Sequence, residues 1–203
     1  MNEIGEYCGL CGVTGAADSV SALVAEGLFA QQHRGQEAAG IAVLQREGSI
    51  RLHKRRGLVQ DLMNDFPPDM MDSDIVSGIG HVRYGTFGGT SVLNAQPIKV
   101  SMGDIPVAIA HNGTISNAST IRRSLQRKGH IFQTNTDTEI VLHLMSRELE
   151  DNDYNIEKCL LAAISKLEGA FCLLLLVPTG MYAVRDAMGF RPLSLGKISG
   201  GAG

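Results

Sequence analysis

The apolar run at residues 171–177, Phe-Cys-Leu-Leu-Leu-Leu-Val, constrains the fold of this 203-residue chain more than any other segment. It is far too short to cross a bilayer, which takes roughly 20 apolar residues in a helix. The residues Pro-Thr-Gly follow it at 178–180 and predict a turn into a second strand at residues 181–185. A continuous apolar strand is buried on both faces. The run therefore predicts a β-hairpin in a sheet that is covered on both sides.

The remaining segments predict more strands than helices. Strands are predicted at residues 8–13, 38–44, 49–54, 75–84 and 105–110. Helices are predicted to begin near Asp18 or Ser19, after Ser116-Asn117, at a capping box at residues 136–139, and at Ile156. Because the strands group into hairpins and the helices lie between these groups, the pattern favours an α+β fold with two packed sheets and helices outside.

Composition excludes several classes of function. The formal net charge of −3 gives no electrostatic basis for binding nucleic acid or an anionic membrane. Residues 1–7 lack the basic start and apolar stretch of a secretory signal. We therefore expect a cytoplasmic protein, with no nucleic-acid or membrane partner, whose four cysteines are thiols.

The run Cys-Gly-Leu-Cys-Gly at residues 8–12 has several interpretations. A zinc site would need a second pair of ligands, which neither Cys159 nor Cys172 offers at ligand spacing, so we expect no metal. A thioredoxin-type pair would follow a strand and open a helix, and on a strand Cys8 and Cys11 would point to opposite faces. Small buried residues would suit Cys11, but they would not explain the short polar segment before Cys8.

An N-terminal nucleophile is the interpretation that accounts for Cys8. A thiol attacks best as a thiolate, and a free cysteine is mostly protonated at neutral pH. Removal of residues 1–7 would place the α-amine of Cys8 beside its own sulfur. That amine titrates near ~7.7–8.0, which suits a general base. One residue would then supply both the nucleophile and the base.

Such a thiol needs donors for an oxyanion and anchors for a substrate. His111-Asn112-Gly113, expected at the end of a strand, could supply a side-chain amide and a backbone N–H, although Asn-Gly is also a common turn. The planar fork of Arg83 could hold a carboxylate. Asp137 could hold an ammonium group, or could instead stabilise the start of a helix. Arg83 and Asp137 together would suit the two charged ends of a free amino acid.

Six ordered motifs resemble the class II glutamine amidotransferase domain of the glutamine phosphoribosylpyrophosphate amidotransferases. They are the run at residues 8–13, Gln-His-Arg-Gly-Gln-Glu at 32–37 with Ala-Ala-Gly-Ile after it, Gly-His-Val-Arg-Tyr at 80–84, His-Asn-Gly at 111–113, Thr-Asp-Thr-Glu at 136–139, and Arg-Asp at 185–186 with Gly-Phe-Arg-Pro-Leu at 189–193. Gln36 favours this family over the related glucosamine-phosphate synthase and asparagine synthetase domains.

The resemblance implies a four-layer αββα sandwich of two antiparallel sheets, of the N-terminal nucleophile hydrolase type. It implies Cys8 as the nucleophile and Asn112 with Gly113 as the oxyanion hole. The residues it assigns to the substrate site are Arg83, Asp137, Arg34, Tyr84 and Thr86, with Arg34 supporting the catalytic end of the chain and residues 84–90 closing over glutamine. The implied chemistry releases ammonia from glutamine through a cysteinyl thioester. In the complete enzyme that ammonia is passed to phosphoribosylpyrophosphate to make phosphoribosylamine, at the start of purine synthesis.

The implied organisation is a leader at residues 1–7, a glutaminase domain at 8–198, and a linker or truncated end at 199–203. The phosphoribosyltransferase domain is absent from this chain, so we expect it as a partner, together with glutamine and further copies in a homo-oligomer. We expect no cofactor in this chain, and Mg²⁺ or an iron–sulfur cluster only with the missing domain.

Two features depart from the family pattern. Tyr7 precedes Cys8 where an acidic residue is common, and Gly85 and Phe87 occupy positions of the closing loop where small or hydroxyl residues are expected. Two alternatives therefore stay open: a stand-alone glutaminase subunit that feeds another acceptor, and an unprocessed, non-catalytic module for regulation or oligomerisation.

Overall fold

The computed structural model describes residues 8–15, 19–84 and 92–197. Within these ranges the chain forms two four-stranded sheets and five α-helices. The strands are β1 (Gly9–Thr14), β2 (Ala38–Gln45), β3 (Ile50–Arg56), β4 (Ile75–Arg83), β5 (Ile98–Met102), β6 (Ile105–Ile115), β7 (Gly169–Val177) and β8 (Gly180–Arg185). The helices are α1 (Val20–Ala30), α2 (Val59–Asn64), α3 (Ala118–Arg127), α4 (Glu139–Arg147) and α5 (Ile156–Ile164).

Both sheets are antiparallel. The first has the order β1-β4-β2-β3, which makes β1 an edge strand hydrogen-bonded to β4. The second has the order β5-β6-β7-β8, with β6 and β7 in the centre. Each sheet contains hairpins of consecutive strands, as the sequence predicts.

Three apolar cores show that these elements stack in four layers. One core joins the first sheet to α1 and α2, and another joins the second sheet to α3, α4 and α5. The third lies between the sheets, where Leu44 and Ile79 of the first sheet share a core with Ala110 and Leu174 of the second. The architecture is a four-layer αββα sandwich of two antiparallel sheets, which confirms the predicted fold class.

Several local predictions are confirmed. The apolar residues 171–177 of β7 are all buried, and β8 returns alongside them. Helix α1 is capped by Ser19, whose Oγ accepts a hydrogen bond from the backbone N–H of Ala22 at 3.2 Å. The other predicted start of that helix, Asp18, lies outside the described residues.

Other local predictions are wrong. Strand β5 and helix α2 are absent from the prediction, and β6 continues through His-Asn-Gly to Ile115 instead of ending there. The capping box at residues 136–139 does not form. Instead, the Glu139 carboxylate accepts hydrogen bonds from the backbone N–H groups of Gln133 and Thr134, at 2.8 and 2.7 Å. Glu139 thus stabilises the preceding loop, and the start of α4 has no side-chain cap hydrogen bond.

No helix in the described ranges is long and apolar enough to span a membrane.

Candidate active site

Cys8 lies directly before β1, at the edge of the first sheet. The ladder pairs Gly9 with Val82, so Cys8 falls one residue beyond that pair, beside Arg83 at the end of β4. Cys8 is half-buried. Its carbonyl oxygen accepts a hydrogen bond from Arg34 Nε at 2.9 Å. The side chain of Arg34 therefore holds the backbone of the predicted nucleophile.

A second side chain, Gln31, holds the same end of β1. Its Oε1 accepts a hydrogen bond from the backbone N–H of Leu10 at 3.2 Å, and its Nε2 donates to the carbonyl oxygen of Leu10 at 2.8 Å. Because these two backbone groups lie on the free edge of the sheet, the amide takes the place of a neighbouring strand. The role of Gln31 is not predictable from the sequence, since a glutamine after a helix gives no sign of a contact with a strand.

Arg83 is oriented by the segment at residues 35–37. Its Nε lies 3.5 Å from Glu37 Oε2, and both side chains are largely buried. The backbone N–H of Glu37 donates to the carbonyl oxygen of Arg83 at 3.0 Å. At Gly35 a Cβ atom would lie 2.6 Å from the carbonyl carbon of Arg83, so only glycine fits there. This close contact explains why glycine follows Arg34.

The predicted oxyanion donors lie within β6. Ala108 and Ala110 face the other sheet, and the alternation of a strand places the buried Asn112 on the same inner face. Gly113 has a φ of 134°. A Cβ atom on Gly113 would lie 2.0 Å from the carbonyl oxygen of Ala170, on the neighbouring strand. The strand therefore requires glycine after Asn112.

Asp137 is held on the outer side of β6. Its Oδ1 lies 3.3 Å from His111 Nδ1, and its Oδ2 accepts a hydrogen bond from the backbone N–H of Ile115 at 3.0 Å. Burial raises the pKa of this carboxyl, but the hydrogen bonds from His111 and Ile115 outweigh burial and lower the pKa of Asp137 below its usual value. Asp137 is therefore a fixed anion, with 28% of its side chain exposed.

His81 connects the two halves of the site. It is fully buried in β4, where it pairs with Leu10 of β1, and its Nε2 lies 3.1 Å from the carbonyl oxygen of His111. A carbonyl only accepts, so Nε2 carries the proton and donates it. Burial, helped by the nearby charge of His111, lowers the pKa of His81 to about 3. A neutral imidazole therefore joins β4, which pairs with the strand that follows Cys8, to the strand that carries Asn112.

Four buried side-chain atoms have no hydrogen-bond partner among the described residues. They are Glu37 Oε2, whose one polar contact in the described ranges is the 3.5 Å ion pair with Arg83, and His81 Nδ1, His111 Nε2 and Asn112 Oδ1. An unpaired buried polar group costs about 1–3 kcal/mol, and native proteins keep few of them. All four lie in or against the ends of β4 and β6. Their concentration there is typical of a site that binds water or a ligand, and it is observed independently of any sequence motif.

Part of the predicted site lies outside the described residues. This applies to residues 85–90 of the predicted closing loop, which include Gly85, Thr86 and Phe87, and to the predicted leader with Tyr7. Tyr84, the first residue of that loop, is described and is exposed. In the ranges that the structure describes, no group of three or more His, Cys, Asp or Glu side chains is placed to hold a metal ion.

Comparisons with known proteins define the class first. The family model of the glutamine amidotransferase domain matches residues 88–202. A solved glutamine phosphoribosylpyrophosphate amidotransferase from B. subtilis, in complex with ADP and GMP, superposes with a TM-score of 0.82 at 33% identity, covering 94% of this chain and 40% of that one. A second solved structure, described as the allosteric regulatory enzyme of purine biosynthesis, gives a TM-score of 0.82 at 34% identity, covering 91% of this chain and 38% of that one. The fold is that of an N-terminal nucleophile hydrolase.

Curated relatives then give the family. An amidophosphoribosyltransferase from Methanocaldococcus jannaschii is 42% identical over 93% of this chain, which corresponds to 40% of the relative. One from Lacticaseibacillus casei is 38% identical over 95% of this chain and 96% of the relative. The chain belongs to the amidophosphoribosyltransferase family, and it spans about two fifths of the length of the first of these relatives.

Proposed function

We propose that this chain hydrolyses the side-chain amide of glutamine with the sulfur of Cys8. The thiol adds to the amide carbon, and the C–N bond then breaks as ammonia leaves with the proton that the thiol gave up. Water hydrolyses the resulting thioester to glutamate and restores the thiol. The observation that carries this proposal is the hydrogen bond from His81, which joins β4, the partner of the strand after Cys8, to the strand of Asn112 and Gly113.

The base in this scheme is the α-amine of Cys8, which becomes available when residues 1–7 are removed. An amine that titrates near ~7.7–8.0 can take the proton from the thiol and return it to the leaving nitrogen. The hydrogen bond from Arg34 to the Cys8 carbonyl supports this role. Because the carbonyl of Cys8 is held, the remaining freedom of this residue is rotation about the Cα–N and Cα–Cβ bonds, which carry the amine and the sulfur.

Arg83 and Asp137 are proposed to bind the two charged ends of glutamine. Asp137 keeps its negative charge because its pKa is lowered, and part of its side chain is exposed. Arg83 forms its ion pair with Glu37 through Nε. The two terminal nitrogens of its guanidinium group are then proposed to bind the carboxylate of glutamine. Residues 84–90, with Tyr84 and Thr86, are proposed to close over the substrate.

The second half of the proposed reaction belongs to a longer assembly. The relatives are amidophosphoribosyltransferases, and we propose that the ammonia formed here is joined to phosphoribosylpyrophosphate by a phosphoribosyltransferase domain, as the start of purine synthesis. Any Mg²⁺ or iron–sulfur cluster is proposed to belong to that domain. We propose a cytoplasmic homo-oligomer as the working form.

Ammonia release from glutamine tests the proposal. The chain that begins at Cys8, verified by mass spectrometry, should release ammonia and glutamate in equal amounts, and Cys8→Ala should release neither. Cys11→Ala is the matched control, because Cys11 packs against Gly27 of α1 and burial raises the pKa of its thiol. Activity that survives Cys8→Ala, or that is equal in a chain retaining residues 1–7, would refute the proposed mechanism.

A further inference from the structure

The backbone N–H and carbonyl groups of His111 lie beyond the point where β5 stops pairing with β6, and two side chains bond them instead of a strand. Strand β5 pairs with β6 up to Ile98, opposite Ile109. Beyond that pair, Gln96 Oε1 accepts a hydrogen bond from the backbone N–H of His111 at 2.7 Å, and His81 Nε2 donates to its carbonyl oxygen at 3.1 Å. Gln96 and His81 thus replace the missing strand directly before Asn112.

We propose that His81 is a positioning residue, which sets the direction of the oxyanion donors by fixing the peptide that joins His111 to Asn112. This inference rests on the proposed glutaminase function. The carbonyl of that peptide and the N–H of Asn112 turn together, because the peptide is planar. With that peptide fixed, ψ of His111 and φ of Asn112 are fixed too, and a change in either would displace the Asn112 side chain and, through the next peptide, the Gly113 N–H from the developing charge.

The hydrogen bond from His81 also crosses between the two sheets. His81 shares the inner face of β4 with Ile79, which packs in the core between the sheets. The other members of that core are apolar. Apolar packing fixes the distance between the sheets but has no directional preference. The hydrogen bond from His81 is directional, so it fixes the orientation of β6 relative to β4, the strand that pairs with β1.

Acid–base chemistry is not required of His81. Its Nε2 proton is donated to a carbonyl, its Nδ1 is buried without a partner in the described ranges, and its pKa is lowered to about 3. The imidazole therefore stays neutral, with the proton on Nε2, at every pH at which an α-amine could act as the base. A side chain that places a hydrogen-bond donor at the position of His81 Nε2 should therefore preserve activity, even if that side chain cannot titrate.

Three substitutions test this role in the chain that begins at Cys8. Glutamine places an amide N–H about where Nε2 lies, asparagine is too short to reach His111, and leucine has no donor. In His81→Leu we expect kcat to fall by about 10–100-fold, somewhat less than the loss of a complete oxyanion donor, with KM changed by less than about threefold. His81→Gln should recover about tenfold or more of that loss in kcat.

Alkylation by iodoacetamide provides the second measurement. It displaces iodide from a saturated carbon and forms no oxyanion, so its rate at Cys8 should be the same in His81→Leu and in the wild type. Ser77→Ala is the matched control, because Ser77 lies on the same face of β4 and bonds Thr14 Oγ1 at 2.5 Å, away from the site. It should lower the stability of the fold and leave kcat unchanged.

Each outcome decides between the two claims. Three results would overturn the positioning role and leave the proposed glutaminase function intact. They are a normal kcat in His81→Leu, a folded His81→Gln variant that recovers no activity, and a rate of Cys8 alkylation that falls in parallel with kcat. If His81→Leu does not fold, the comparison of His81→Gln with His81→Asn decides the same question. A wild-type chain that releases no ammonia overturns the proposed function, and the positioning role with it.

Discussion

Gly113 is the residue of the candidate site whose identity the backbone restricts most. Its φ of 134° is one that side chains disfavour, and a Cβ atom would overlap the carbonyl oxygen of Ala170. We expect Gly113→Ala to lower the free energy of unfolding by about 3 kcal/mol or more, from backbone strain and steric clash together, and to abolish glutamine hydrolysis.

Gly180→Ala separates the two causes. Gly180 has nearly the same φ, 137°, but nothing lies within 4 Å of its Cβ position. It should cost only the backbone strain of about 1–2 kcal/mol, with activity retained. Urea unfolding and ammonia release measure both variants. Equal losses of stability in the two would show that the overlap with Ala170 is relieved by a small shift of the strand.

Asp137 gives a prediction about pH. Its folded-state pKa is lower than its usual value, so its ionised form stabilises the fold above the unfolded pKa of ~3.9, and this contribution is lost as pH falls through the folded pKa. Asp137→Asn should therefore be less stable than wild type at pH 7, and the difference should shrink below about pH 4. Urea midpoints at pH 7, 4 and 3 test this. A difference independent of pH would mean that the hydrogen bonds hold Asp137 equally well without its charge.

At the scale of elements, α3 supports the loop that leads to Asp137. Arg122 donates from its two terminal nitrogens to the carbonyl oxygens of Thr134 and Thr136, at 2.9 and 2.5 Å, and lies 4.1 Å over the ring of Phe132. A lysine at this position cannot make both bonds in one plane. We expect Arg122→Lys to raise KM for glutamine by about fivefold, which corresponds to the loss of roughly 1 kcal/mol of hydrogen bonding at the loop.

The next residue of the helix provides the control for that substitution. Arg123 is exposed and bonds the carbonyl oxygen of Ser119 within its own helix, so Arg123→Lys should leave KM unchanged. Steady-state kinetics of both variants would answer the question. A change in kcat without a change in KM would place the effect of Arg122 on the chemical step instead of on substrate binding.

Elements with a local signal are predictable from the sequence, and those defined by distant partners are not. The apolar run in β7 and the Ser19 cap of α1 are both predictable from the local sequence alone. Strand β5 is a different case: its partner β6 follows directly, but β5 is only five residues long and its burial is mixed, so its sequence resembles a loop. The substrate motifs are recognisable because they are short and ordered along the chain. The contacts of Gln31, Gln96 and His81 escape prediction because each supports a backbone segment at least 15 residues away.

At the scale of the whole molecule, the candidate site is divided between the two sheets. The proposed nucleophile precedes an edge strand of the first sheet, and the proposed oxyanion donors lie on a central strand of the second. The core between the sheets is lined by alanine, leucine and isoleucine side chains, which pack closely and keep the two halves at a constant separation. The reactive geometry is therefore a property of the complete sandwich and of no single element.

Covalent labelling is the most direct test of the central claim that Cys8 attacks glutamine. The chain that begins at Cys8 would be treated with an analogue of glutamine that has a diazoketone in place of the side-chain amide, and digested for peptide mass mapping. We predict one adduct per chain, on Cys8, formed more slowly when glutamine is present. An adduct on Cys11, or labelling of Cys8 that glutamine does not slow, would contradict the account.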